Sequence, residues 1–229
     1  MTSMRRHQAQ NGYPRGEETK AKIIRTSIAL FGEEGFAGVS TREIANAAGV
    51  PPPSIQYYFG NKEGLYDACL EDIQASASAA VSPALEKVEE LLAADATADR
   101  LIDGYCNVLE SLADFLLGAP DAASRALFVA QLRAASSPPR KSEAKRAVGR
   151  RIQEGCAAVV SHISGHNLTD EEARMVCTMV NGQLFIIHVA RGHVGELIGW
   201  DEITPARIES LKTVLRKQTT VILNSHRPK

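Results

Sequence analysis

The chain has 229 residues, 44% of them hydrophobic, and a formal net charge of −1. That length holds one small domain and one larger one, and a near-neutral charge excludes any reading based on whole-chain attraction to nucleic acid. No apolar run reaches the roughly 20 residues that cross a bilayer and no signal peptide is visible, so the expectation is a cytoplasmic protein without a membrane partner.

The charge is unevenly placed. Residues 1–66 carry eight Lys and Arg against six Asp and Glu, whereas residues 67–229 carry 18 against 21. The basic excess therefore lies at the N-terminal end, where phosphate binding would use it. Residues 1–16 are polar, include Arg5, Arg6 and Arg15, and show no periodicity. They are expected to be a disordered basic arm. Such an arm either touches a DNA backbone or minor groove or is a loose terminus without a role.

A first helix is expected over 17–34, with Ile23, Ile24, Ile28, Leu30 and Phe31 as its apolar stripe and Gly35 as its stop. Ser40 and Glu43 then form an S-x-x-E capping box, and Ile44, Ala45 and Ala48 share one helix face. Gly49 stands where a helix ends by turning left-handed. Val50 follows as an apolar plug, and a short helix from about 52 to 59 presents Ile55 and Phe59 at i and i+4. Small Ala45 and Ala48 let the two helices approach closely, which is the sequence form of a helix-turn-helix.

Asn61 is placed to cap the next helix, which carries Leu65, Tyr66, Cys69, Leu70 and Ile73 and is expected to break or restart at Pro83. Beyond it the chain reads as helix throughout, at about 84–94, 98–117, 122–135, 142–163, 170–192 and 205–224. Thr169-x-x-Glu172 is a second capping box, and Thr204-Pro205 is an N-cap with proline behind it. Cys69, Cys106, Cys156 and Cys177 have no CxxC spacing and sit in apolar helical contexts, so reduced core thiols are expected. His162 and His166 are four apart, but Gly165 interrupts them and no further ligand completes a set. No metal site, cofactor or catalytic arrangement is therefore expected.

The stretch from Ile23 to Leu65 resembles the TetR family of bacterial transcription regulators. The residues that carry the resemblance are Ile23-Ile24, Leu30-Phe31, Gly35-Phe36, Ser40-x-x-x-Ile44-Ala45-x-x-Ala48-Gly49-Val50, Ile55, Tyr58-Phe59 and Lys62-Glu63-x-Leu65. Gly182-Gln183, Ala190-Arg191 and Gly199-Trp200 further resemble the subgroup with a CecR-type C-terminal domain. The resemblance implies an all-α fold, with a three-helix helix-turn-helix DNA-binding domain over 17–66 followed by a helical ligand-binding and dimerisation domain over 67–229. It implies that Thr41, Arg42, Pro53, Ser54, Gln56, Tyr57, Tyr58 and Lys62 face double-stranded DNA, with Lys62 on a phosphate. Gln56 either pairs with an adenine edge or binds phosphate from the helix flank. The chain departs from the family at Pro51, Pro53 and Gln56, where Ser or Thr, a small residue and Tyr are usual.

The function implied is a homodimeric repressor, not an enzyme, released from a palindromic operator by a small, largely apolar effector. Dimerisation is expected through the helices at about 170–192 and 205–224. Tyr105, Phe115, Phe128, Met175, Met179, Gln183 and His188 are the candidate effector-lining residues, because a few polar groups among many apolar ones suit a ligand pocket. The alternative is a helical ligand-binding or interaction protein whose DNA binding has decayed, suggested by the triple proline and by Gln56 where the family usually has Tyr.

Overall fold

The computed structural model describes residues 14–134 and 147–228. Most of the expected basic arm and the break expected between the helices at about 122–135 and 142–163 lie outside them. Ten α-helices and no strand occur among the described residues. They are α1 Pro14–Gly38, α2 Thr41–Ala47, α3 Pro53–Phe59, α4 Lys62–Ala93, α5 Ala98–Ala113, α6 Ala122–Ala134, α7 Ala147–Ile163, α8 Asp170–Val189, α9 Arg191–Ile198 and α10 Pro205–Asn224, with a π-helical turn Asp114–Gly118 after α5.

The local signals act as expected at most helix ends. Gly35 interrupts α1 at φ 75°, Gly49 turns left-handed at φ 61°, and both capping boxes close reciprocally. Asn61 accepts from the Gly64 N–H at 2.7 Å, and the Thr204 side chain caps α10 by accepting from the Arg207 N–H.

α1 runs from Pro14 to Gly38 rather than over 17–34, so residues 14–16 of the expected disordered arm are helical, and two later boundaries also differ from the expectation. Pro83 does not break α4, which runs on to Ala93. A proline inside a helix costs about 3 kcal/mol, but Val81, Leu85 and Val88 on either side of it are buried on one face. Each such burial contributes roughly 1.5–3 kcal/mol, so packing outweighs the lost hydrogen bond. The helix expected at 170–192 stops at Val189 and turns by 94° into α9. At its other end α9 is closed by left-handed Gly199, past which the Trp200 N–H donates back to the Gly195 carbonyl at 2.7 Å. A side chain at Gly195 would come within 2.9 Å of the Trp200 carbonyl, so only glycine admits this return.

The buried side chains form two clusters. The first joins α1, α2 and α3 to α4 as far as Ile73. The second spans the rest of α4 with α5, α7, α8 and α10. One 32-residue helix, α4, thus supplies side chains to both. Arg151 of α7 grips Glu89 of α4 through two nitrogens at 3.1 Å, and Lys212 of α10 meets Asp114 of the π-helical turn at 2.7 Å.

Phe128, a candidate effector-lining residue of the helical body, is fully buried in the first cluster. Its ring lies 4.8 Å from that of Tyr66 and 6.3 Å from that of Phe31. Gly32 makes this possible: a Cβ there would meet the Phe128 nitrogen and the Ser124 carbonyl at 3.0 Å, so α6 and α1 touch backbone to backbone. Met175 and Met179 also differ from the expected pocket lining, being 47% and 74% exposed. Helical geometry explains this, because α8 turns Ala173, Cys177, Val180, Leu184 and His188 inward and its methionines lie on the opposite face.

Candidate nucleic-acid interface

The surface expected to face DNA is assembled from three short backbone devices. Ser40 and Glu43 start α2 with the Glu43 carboxylate accepting from the Ser40 N–H at 2.7 Å. The Ser40 hydroxyl and N–H hold the Glu43 carboxyl below its ordinary range, so its charge is committed to the cap. The turn at Gly49 then sets α3 across α2, with Ile44, Ala45, Ala48 and Ile55 buried between them. Finally Gly64 lets α4 begin directly against α3: a Cβ there would sit 2.2 Å from the Phe59 carbonyl.

Together these devices leave a groove of about 620 Å³ lined by Thr41, Gln56, Asn61 and Lys62, with Val39, Ser40 and Pro52. Three of the expected DNA-facing residues, Thr41, Gln56 and Lys62, therefore share one concavity. Arg42, Pro53 and Tyr57 are exposed beside it, and Ser54 is half-buried. The Lys62 ammonium lies 4.6 Å from the Phe36 ring centre, a cation–π contact that anchors the stem beside the groove. Tyr57 is 81% exposed, its ring edge-on to Tyr58 at 4.9 Å. Tyr58 turns back onto the first cluster, its hydroxyl 3.6 Å from where a Cβ at Gly16 would stand.

Pro51, Pro52 and Pro53 lack N–H donors. The next two N–H groups are engaged, Ser54 donating to the Pro51 carbonyl at 2.9 Å and Ile55 to that of Pro52 at 3.4 Å. The first turn of α3 therefore has no free N–H for a phosphate, a place where helices commonly offer several.

Sequence reasoning missed Gly64, Phe36 beneath Lys62, and Lys22, whose ammonium lies 3.4 Å from where a Cβ at Gly49 would stand. Gly64 carried a usable signal: glycine in the first turn of a helix, just after its cap, costs helix propensity and marks a close approach. The other two depend on chain segments meeting in space.

Of the remaining effector candidates, Tyr105, Phe115 and His188 are each held by contacts of their own. Tyr105 is fully buried and donates to the Asn181 Oδ1 at 2.9 Å, and burial pushes its hydroxyl pKa well up. Phe115 lies under the Arg125 guanidinium at 4.6 Å. The buried His188 meets the Leu116 carbonyl through Nδ1 at 3.1 Å, so that nitrogen is the donor. Gln183 is half-buried. A second depression, of about 260 Å³, is lined by Glu171, Arg174, Met175, Thr178 and Met179 on the outer face of α8. All four cysteines are free and buried. Burial pushes the Cys69 and Cys106 thiols up, and a hydrogen bond with Cys177, together with burial, does the same for Cys156. Among the described residues no group of three metal-ligating side chains comes together. No single described helix is long and apolar enough to cross a membrane.

A capped helix, a glycine turn, a second helix with an exposed polar and aromatic face, and a lysine at the start of the next helix define a helix-turn-helix DNA-binding protein. The profile described as "Bacterial regulatory proteins, tetR family" matches residues 23–69. That described as "HTH-type transcriptional dual regulator CecR, C-terminal domain" matches residues 101–225, more than half of the chain. The chain belongs to the TetR family of transcriptional regulators, whose members act by binding DNA and are not enzymes. It is similar to the HTH-type transcriptional dual regulator CecR of Shigella flexneri, with 42% identity over 79 residues, 34% of this chain and 35% of that one. It is also similar to the probable HTH-type transcriptional regulator YttP of Bacillus subtilis (strain 168), with 34% identity over 91 residues, 40% and 42% of the two chains. The matches thus span only about a third to two fifths of these relatives' lengths. Among solved structures, the TetR family regulator PfmR of Thermus thermophilus superposes with a TM-score of 0.60 over 88% of this chain and 94% of that one, at 19% identity. This last likeness concerns the fold.

Proposed function

We propose that the chain is a cytoplasmic homodimeric repressor whose residues 17–66 grip a near-palindromic operator and whose residues 67–229 dimerise and receive a small, largely apolar effector. The observation that carries the DNA part is the shared groove of Thr41, Gln56 and Lys62 beside the exposed face of α3. Dimerisation is supported by apolar side chains left exposed on α8 and α10, namely Met175, Met179 and Ile186 on the first and Val214 and Val221 on the second. Exposed apolar faces of this kind mark association surfaces. Two heads then occupy successive major grooves about 34–36 Å apart. Release requires an effector that binds the other head separation more tightly. The π-helical turn at Asp114–Gly118, with Leu116 held by His188, supports a place for it, since such turns recur at functional sites. The alternative of a ligand-binding protein with decayed DNA binding has one supporting observation, the missing N–H donors of Pro51–Pro53.

The salt dependence of binding to a 30-base-pair duplex of arbitrary sequence tests the reading. Lys62→Met keeps an unbranched stem over Phe36 and removes the charge. Each neutralised phosphate contributes a slope of about −0.9 in log K against log salt. Two heads should lose about 1.8, so between 50 and 200 mM salt wild type should weaken about twelvefold more than the variant. Equal slopes would exclude this groove as the phosphate-binding face, and a difference of about 0.9 would indicate one head per complex.

A further inference from the structure

The face of α3 is chemically one-sided. Its exposed side chains are Pro53, Gln56 and Tyr57, and the helix contains no Lys, Arg, Asp or Glu. In the major groove guanine presents two acceptors, which Arg or Lys satisfies, and cytosine presents a donor, which Asp or Glu accepts. Adenine presents an acceptor beside a donor, the pattern that a carboxamide such as Gln56 matches. Thymine presents a methyl group, which favours apolar contact. The charged partners of G and C are absent from this helix, and the partners of A and T are present.

Position strengthens the point. Pro53 and Tyr57 are four residues apart and Gln56 three from the first, so all three share one face. Four residues rise about 6 Å, and base pairs stack about 3.4 Å apart, so the contacts fall within two base steps. Tyr57 is the most exposed of the large apolar side chains among the described residues, at 81%. Its ring is braced by Tyr58 rather than loose. The start of α3 also has no free N–H to hold on to a phosphate, so the pyrrolidine ring of Pro53 is free to face a base edge instead of the backbone.

We propose that α3 reads an A·T half-site core, Gln56 pairing with an adenine edge and the rings of Pro53 and Tyr57 packing on thymine methyl groups. This inference rests on the DNA-binding reading above. It is tested with the full chain by selection from duplexes containing 24 random base pairs, followed by binding to the winning duplex with thymine or with deoxyuridine, which lacks the methyl. Wild type should select A·T-centred half-sites and bind the deoxyuridine duplex about fourfold more weakly for each methyl lost. Pro53→Ser and Tyr57→Ser should each shrink that ratio, and Gln56→Ala should lose roughly tenfold in preference for adenine over guanine at one position. Selection of G·C-centred half-sites, equal binding of the thymine and deoxyuridine duplexes, or an unchanged ratio in both ring variants would overturn the inference and leave the regulator reading standing. Failure to enrich any duplex would overturn both.

Discussion

Phe128→Ala is the sharpest test of how the two clusters are joined. Phe128 belongs to α6, yet its ring is fully buried among Phe31 and Tyr66 of the first cluster. Truncating a buried phenylalanine costs about 3–5 kcal/mol, transfer and cavity terms together. The site has little freedom to collapse, because α1 and α6 already touch through their backbones at Gly32. In a chain of this size each kcal/mol lowers the melting temperature by about 2–4 °C, so a fall of about 10 °C is expected. Phe128→Leu, which keeps most of the volume, should lose less than half of that. The readout is a thermal melt followed by circular dichroism, with amide hydrogen exchange to locate the loss. Protection should fall first in α1 and the N-terminal half of α4, and DNA affinity should fall with it. If protection drops instead in α5, α7 and α8, Phe128 lines a space in the second cluster and the present account of α6 is wrong.

Two further outcomes follow from the geometry of the helix starts. Gly64→Ala would gain about 1 kcal/mol in helix propensity, but its Cβ would lie 2.2 Å from the Phe59 carbonyl. That overlap moves backbone, so urea unfolding should show a net loss of about 1–3 kcal/mol. A variant as stable as wild type would refute the close approach. The carboxyls of Glu43 and Glu172 are held below their ordinary range by Ser40 and Thr169. A depressed folded pKa gives stability that is present above the ordinary carboxylate range and lost as pH falls through the folded value. Wild type and a Glu43→Gln, Glu172→Gln double variant should therefore differ at pH 6 and converge below about pH 4. Parallel stability curves from pH 6 to pH 3 would show that neither carboxylate charge contributes.

Much of this protein was legible in one dimension because its signals are local. A capping box needs only residues three apart, and Ser40–Glu43 and Thr169–Glu172 both close as the spacing predicts. Gly49 turns left-handed because glycine, lacking a Cβ, does so at no steric cost. The apolar stripes of α1 and α4 are periodic and are buried accordingly. The family resemblance rested on these same local features, which is why it extended reliably to the helix-turn-helix. What the sequence could not determine is set by partners distant along the chain. Pro83 stays helical because burial on both sides exceeds its local cost, and that burial is known only once α5 and α7 are in place. The helix expected through 192 bends by 94° between α8 and α9, and no periodicity records it. Phe128, Met175 and Met179 share the same apolar character in the sequence. Only the packing of α6 on α1, and the face that α8 turns inward, send the first into a core and leave the other two exposed.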